Sequence, residues 1–240
     1  MIFLSIIIPA YNEEKRIPNT LLKLLNYLST KSYQWEIILV DDGSTDRTSE
    51  IAREVIKNNS LTVIKNHLNQ GKGYSVKRGV LSSKGKVLLF SDADLSTPIE
   101  ELDKMLLWID KGYDMVIGSR TLPESIIEVR QPSYRQLMGK TFNLLVQSLV
   151  LKGFKDTQCG FKCFTRESAL RVFTLQRLTG FAFDVEILYI AQKCGFKIKE
   201  QPVRWINSPE SKVRLLKGPL SMILELLKIR FYDWKGYYSS

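Results

Sequence analysis

A chain of 240 residues with 44% hydrophobic and 25% charged residues is ordinary for a globular protein and can bury the core of one α/β domain. Lysine and arginine outnumber aspartate and glutamate by 35 to 25, a formal net charge of +10, so the surface should attract anions: nucleic acid, phosphorylated substrates or an acidic lipid leaflet. No stretch reaches the ~18 uninterrupted apolar residues that a bilayer crossing needs; residues 142–151 and 220–227 come nearest, so no membrane span is expected.

Residues 2–9 form a nearly continuous β-branched and apolar run, the pattern of a parallel strand covered on both faces. A helical pattern follows at 19–28, a strand at 36–40, a helix at 45–57, a strand at 61–65 and a helix at 74–81. Residues 86–90 read as the fourth strand. Thr97-Pro98 then supplies a cap and first-turn pair for a helix over 99–109, and 115–117 reads as a fifth strand. This alternation predicts an α/β fold, a doubly wound and mainly parallel sheet flanked by helices. Such sheets bind ligands at the carboxyl ends of their strands. There the chain places Pro9-Ala10-Tyr11-Asn12-Glu13, Asp41-Asp42-Gly43-Ser44 and Asp92-Ala93-Asp94.

Beyond residue 120 the alternation breaks down. A basic, proline-containing loop is expected at 124–135, a helix at 137–151, a short strand after Asp156-Thr157-Gln158-Cys159-Gly160-Phe161-Lys162, a helix at 184–193 and a strand at 198–205. The tail, 219–238, is amphipathic and mixes aromatic with basic residues. No repeat or low-complexity linker divides the chain, so one domain spanning 1–240 is expected.

Cys159, Cys163 and Cys194 are odd in number, and no basic segment followed by an apolar stretch and a cleavage site opens the chain, which favours reduced thiols and the cytoplasm. The Cys159-x3-Cys163 spacing suggests a metal knuckle. With His67 the one histidine and no second cysteine pair, no tetrahedral set is complete, and these thiols read as small buried hydrophobes.

Asp92-x-Asp94 carries the chemistry. Two carboxylates delivered into the loop after an apolar strand make a hard oxygen site suited to Mg²⁺ or Mn²⁺ carrying a diphosphate, although such residues also cap helices. Gly71-Lys72-Gly73 lacks the spacing and the Ser or Thr of a phosphate loop; its lysine either contacts a nucleotide or its diphosphate, or lies in a solvated turn. Asp46 is as well explained by an N-cap as by function, and Asp42-Gly43-Ser44 by a turn. Response regulators also place acidic pairs after a strand, but their single phosphorylated aspartate explains neither Asp92-x-Asp94 nor the second half of the chain.

Six motifs in order resemble the family 2 inverting glycosyltransferases of the GT-A nucleotide-diphospho-sugar fold: residues 8–13, 40–46, 69–73, 91–96, Gly118-Ser119-Arg120, and 156–162. Within that family the likeness is greatest to the dolichyl-phosphate β-glucosyltransferases and related polyprenyl-phosphate sugar transferases. The resemblance covers nearly the whole chain, and implies that residues 1–120 bind the nucleotide sugar and 121–240 the acceptor. It departs from eukaryotic members in showing no amino-terminal anchor and from many bacterial ones in showing no carboxyl-terminal membrane hairpins.

The resemblance implies nucleotide contacts from Pro9, Ala10, Tyr11, Glu13, Asp41, Asp42, Lys72, Asp92 and Ala93. Of these, Asp41 or Asp42 can accept the imide N–H of uracil, and Tyr11 offers an aromatic wall. Asp92 and Asp94 are the expected metal ligands, and Asp94, Asp156 and Arg120 the expected catalytic residues. Asp156 is expected near the acceptor, to orient the attack or to act as base toward a hydroxyl. A lipid monophosphate acceptor is already largely anionic at neutral pH, its second pKa being about 6, so it needs cations more than deprotonation. Arg120, Arg130, Arg135, Arg204 and Lys212 suit that need, with Arg120 and Arg135 favoured by the resemblance.

The implied reaction moves a hexose, glucose from UDP-glucose foremost, to a polyprenyl or dolichyl phosphate, with the protein peripheral on the cytosolic membrane face. The alternatives are another donor such as GDP-mannose, a hydroxyl acceptor in surface polysaccharide synthesis, or a non-catalytic binder of nucleotide sugars or nucleic acid. Residues 137–151 and the aromatic tail read as interfacial elements, the former equally as core packing. Basic residues among aromatics also suit single-stranded nucleic acid, but no nucleic-acid motif accompanies them and no such partner is expected. No protein partner can be inferred.

Overall fold

Four parallel strands, β1 (Leu4–Ala10), β2 (Trp35–Asp41), β3 (Leu61–Lys65) and β4 (Val87–Ser91), build one half of a sheet, with β1 between β2 and β4. The computed structural model describes residues 1–129, 131–207 and 217–239, with backbone alone for 217–223. Beside β4 lies β7 (Phe161–Thr165), antiparallel to it, then β5 (Met115–Ser119) and β8 (Ile198–Pro202), giving the order β3-β2-β1-β4-β7-β5-β8. The central strands β1, β2 and β4 are largely apolar on both sides, so alternate residues feed two hydrophobic layers. Ile6, Ile8, Leu39 and Leu89 pack under α1 (Ile17–Leu28) and α4 (Leu102–Asp110). On the opposite face, Ile7, Leu88 and Phe90 pack under α3 (Lys72–Ser82) and, in sequence order beyond it, α6 (Arg166–Leu175) and α7 (Phe183–Lys193).

Helix α1 shows why these elements form. Ile17, Leu21, Leu24 and Leu28 are fully buried at helical spacing, a stripe that faces the sheet, and a proline occupies its first turn. Residues 48–55 form α2, shorter than the 45–57 expected, because Thr45 and Asp46 are committed to the β2 loop. Helix α6 has no counterpart among the sequence expectations. Its start is set by Thr165, whose hydroxyl accepts the Ser168 N–H, and Ala169, Val172 and Phe173 bury its inner side.

Two further departures shape the second half. The loop expected at 124–135 contains β6 (Ile126–Val129), and the strand expected at 198–205 divides after Pro202 into β8 and β9 (Arg204–Ile206). β6 and β9 pair with each other, parallel, in a separate two-stranded sheet. An isolated four-residue segment is illegible by pattern because its partner lies over seventy residues away. Helix α5 (Ser133–Leu149) buries Val146 and leaves Leu137 and Leu144 exposed; it packs against α8 (Lys217–Trp234). Among the described residues no helix is long and apolar enough to cross a membrane. Cys159 and Cys163 lie in the core, as the composition argument expects of them, while Cys194 is partly exposed.

Candidate active site

The antiparallel course of β7 assembles the site. Because β7 runs against β4 and pairs Phe161 with Ser91, the loop that precedes β7 meets the loop that follows β4. The Asp92 N–H donates to the Gly160 carbonyl at 3.0 Å. Gly160 is packed so closely that a Cβ there would lie 1.9 Å from Asp92 Oδ2, so only glycine lets the two loops meet with Asp92 in this rotamer. β5 runs parallel to β8 and antiparallel to β7, which brings Arg120, one residue past β5, to the same edge.

The first two loops are stitched to each other. Asn12 N–H donates to Ser44 Oγ, Thr45 N–H to Asn12 Oδ1, Glu13 N–H to Thr48 Oγ1 and Glu14 N–H to Asp46 Oδ2. Asp46 also accepts the Thr48 N–H just ahead of α2, whose N-cap position is Arg47, so its carboxylate ties the two loops together. Among the described residues two non-glycines hold left-handed φ, Asn12 at 54° and Leu95 at 46°. Both lie in loops at this edge, where strain of about 1–3 kcal/mol is tolerated when the surroundings over-determine it.

Pro9 and Ala10 end β1, and Tyr11 is exposed beyond them. Glu13 pairs with Arg16 at 3.1 Å. Asp41, wholly buried, accepts from Ser44 N–H at 2.7 Å and from the Ser49 hydroxyl. Asp42, nearly as buried, accepts from Asn66 Nδ2, Gln70 N–H and Gly71 N–H at 2.7–2.9 Å. Asp41 therefore holds its own turn, and Asp42 ties the Gln70-Gly71 backbone to β2. Ala93 is buried, its carbonyl accepting the Thr20 hydroxyl. Asp94 accepts the Ser96 N–H at 2.9 Å, a local turn that aims the carboxylate.

Lys72, at the start of α3, sits 2.7 Å from Asp92 Oδ1. Burial pulls its pKa down, but the charges of Asp92 and Asp184 outweigh that and raise it. Beneath this pair lies one that sequence reasoning missed. Lys162 of β7, fully buried, donates to Asp184 of α7 and to the Cys159 carbonyl. Burial raises the Asp184 pKa despite the opposing lysines. A signal exists in hindsight: a lysine inside Phe161-Lys162-Cys163-Phe164 and an aspartate inside Phe181-Ala182-Phe183-Asp184-Val185 are charges in apolar runs, and buried charges need partners.

Arg120 and Asp156 form the most fully bonded pair at this edge. Nε and Nη2 of Arg120 donate to the two carboxylate oxygens at 2.7 and 2.9 Å, and the Arg120 backbone N–H adds a third bond at 2.9 Å. Gln158 N–H supplies a fourth at 3.1 Å. Burial alone would raise the Asp156 pKa, but Arg120 drives it below the ordinary carboxylate range. The guanidinium also lies over the Trp205 ring, 5.6 Å from its centroid. With three donors from Arg120 and one from Gln158, the Asp156 carboxylate fixes the orientation of the Arg120 guanidinium.

The remaining cations are dispersed. Arg204 extends to Glu128 at 3.5 Å and Glu100 at 4.0 Å, opposite to Trp205 on the same strand. Arg135, in the first turn of α5, lies 6.0 Å from the ring of Tyr134. Arg130 and Lys212 fall outside the described residues.

Lys72, Arg120 and Lys162 pair with Asp92, Asp156 and Asp184, and Asp94 adds a further carboxylate at this edge. Hard, anionic oxygen donors fit a divalent cation. Among the described residues no three His, Cys, Asp or Glu side chains converge as a ready cage, so further ligands to such an ion would come from a diphosphate and water.

A mainly parallel sheet with acidic and basic loops gathered at its carboxyl edge fits the GT-A fold of the nucleotide-sugar transferases. The chain belongs to glycosyl transferase family 2, whose model matches residues 5–173. It is 39% identical over 243 residues to a dolichyl-phosphate β-glucosyltransferase of Dictyostelium discoideum, covering 96% of this chain and 74% of that protein. It is 37% identical over 245 residues to the human dolichyl-phosphate β-glucosyltransferase, covering 95% and 74%. Among solved structures, glucosyl-3-phosphoglycerate synthase from Mycobacterium tuberculosis in complex with Mn²⁺, UDP-glucose and phosphoglyceric acid superimposes with a TM-score of 0.67 at 18% identity, over 98% of this chain and 80% of that one. At that identity the likeness bears on the fold.

Proposed function

We propose that the protein transfers glucose from UDP-glucose, with inversion, to the phosphate of a dolichyl or polyprenyl phosphate. The observation that carries this reading is the Arg120–Asp156 fork at the same sheet edge as Asp92 and Asp94. It offers a fixed cation for an anionic acceptor, beside a carboxylate whose oxygens are already engaged by four N–H donors. The names of the relatives supply the sugar and the lipid.

Asp94, with Asp92 beside it, would hold Mg²⁺ or Mn²⁺, which neutralises charge on the diphosphate as the nucleotide departs. Lys72 adds a positive charge to the same group. Tyr11, at the mouth of the stitched loops, provides an aromatic surface for the base, with Pro9, Ala10, Glu13, Asp41, Asp42 and Ala93 shaping that side. Arg120 orients the acceptor phosphate for attack on the anomeric carbon from the far face, with Arg135 and Arg204 as outlying contacts; Arg130 and Lys212 complete the acceptor set as sequence candidates.

Leu137 and Leu144 are exposed on α5, and Leu224, Leu227, Phe231 and Trp234 are exposed at helical spacing on α8, and Lys235 lies over the Phe231 and Trp234 rings. This composition suits peripheral contact with an anionic leaflet, where a polyprenyl chain would stay in lipid. Incubation with UDP-glucose or GDP-mannose and a short polyprenyl phosphate, with mass spectrometry of the lipid fraction, tests the reading. Glucosyl-phosphoprenol is the expected product; transfer only to a saccharide, or only from GDP-mannose, overturns it.

A further inference from the structure

The carboxyl-terminal end of the chain is fastened to the donor side of the site. After α8, Gly236 at φ 76° reverses the backbone, and the Tyr237 N–H returns to the Tyr232 carbonyl at 3.0 Å. Tyr238 then points inward and is buried. Its hydroxyl donates to Glu186 Oε1 at 2.5 Å. Glu186, wholly buried on α7, also accepts the N–H groups of Arg177 at 3.0 Å and Leu178 at 2.8 Å. The Arg177 guanidinium lies 3.9 Å from the ring centroid of Tyr237, and Glu225 of α8 accepts the Ala182 N–H at 3.1 Å. The segment 176–182 is thus gripped from the tail at both ends.

The same segment grips α3. The Thr179 carbonyl accepts from Gly73 N–H at 2.8 Å and Tyr74 N–H at 3.3 Å, two of the amides that a helix cannot satisfy internally at its start. Gln176 Nε2 donates to the Gly73 carbonyl at 3.0 Å. Gly71, at φ 101°, leaves no room for a side chain, since a Cβ would meet the Thr179 carbonyl oxygen at 2.4 Å. Lys72 lies between these two glycines, and its ammonium reaches Asp92.

We propose that Tyr238 and Glu186 are positioning residues for Lys72, so that the carboxyl-terminal tail sets the affinity for the donor's diphosphate. This rests on the reading of Lys72 as a diphosphate contact. A buried carboxylate needs its full set of donors. Without the Tyr238 hydroxyl, Glu186 keeps only the two amides, its hold on 177–178 relaxes, and the cap that Thr179 places on α3 loosens with it.

The test uses the full chain carrying Tyr238→Phe, with UDP in the presence of Mn²⁺ as the probe. UDP affinity by calorimetry falls about fivefold, the amides of Gly73 and Tyr74 exchange hydrogen faster, and kcat at saturating donor stays within about twofold. In a Lys72→Ala background the same change alters UDP affinity less than about twofold, because coupled residues are not additive. Equal losses in both backgrounds, or unchanged exchange at Gly73 and Tyr74, overturn the proposal. Lys72→Ala that binds UDP like the parent overturns the diphosphate reading itself, whereas a weakened Lys72→Ala beside a parent-like Tyr238→Phe overturns the tail's role alone. Where Tyr238→Phe does not fold, Glu186→Gln, with one acceptor oxygen in place of two, is expected to show the same losses and decides in the same way.

Discussion

Asp156→Asn separates a residue that holds Arg120 from one that abstracts a proton. The substitution preserves shape, but it turns one acceptor oxygen into a donor facing N–H groups that now have no partner. Asp156 accepts three bonds from Arg120 and one from Gln158. Removing one member of a fully buried pair costs about 3–5 kcal/mol. The Arg120 side chain keeps 27% of its exposure, so water recovers part of that, and we expect about 2–3 kcal/mol. For a chain of this size each kcal/mol lowers Tm by about 2–4 °C, which places the loss near 4–12 °C by calorimetry. Arg120 freed from its fork should lower kcat/KM for the lipid phosphate about 100-fold, or roughly 2.7 kcal/mol, while KM for the donor stays within about twofold.

The same pair predicts an acid limb. Arg120 holds the Asp156 carboxyl below its ordinary value, so on acidification the unfolded chain takes up this proton first. The pair's contribution is complete above about pH 4, the ordinary carboxylate value, and is lost as pH falls through the lower folded value. Asp156→Asn should flatten that limb in acid unfolding. An Asn variant with parental Tm and parental acceptor kinetics would falsify the positioning role. A parent whose kcat/KM falls at low pH with the slope of a single titrating base, a limb absent from the Asn variant, would support a base role instead.

Gly160→Ala should leave the fold within about 1–2 kcal/mol, since the colliding Asp92 carboxylate can rotate away, yet weaken binding of UDP with Mn²⁺ at least about tenfold by calorimetry; retained affinity would show that the Asp92 rotamer is unimportant. Asp94→Asn should abolish turnover by at least about 1,000-fold with an unchanged circular dichroism spectrum, and normal turnover would refute the metal assignment. Lys162→Met strands Asp184 in the core and should cost about 3–5 kcal/mol, read as a fall in Tm, whereas a loss below about 1 kcal/mol would mean the pair is replaceable by apolar packing. Phe231→Ser with Trp234→Ser should abolish flotation with anionic liposomes while leaving donor binding intact; co-flotation equal to the parent would remove α8 from the membrane surface.

Local sequence determined the first half of this protein. Runs such as Ile6-Ile7-Ile8 and Leu88-Leu89-Phe90 are apolar at every position because both faces of their strands are covered, and the polar residues that follow them can lie only at the strand ends. From those loops, Asp92-x-Asp94 and its order among the other motifs were legible, and the family followed from that order. Tertiary structure alone decided the rest. That β7 runs antiparallel, that Arg120 meets a carboxylate thirty-six residues onward, that Lys162 and Asp184 neutralise each other and that Tyr238 returns to Glu186 leave no periodic trace, because each depends on which distant segment the chain topology brings alongside. A lone charge in an apolar run shows only that a partner must exist; folding selects which one.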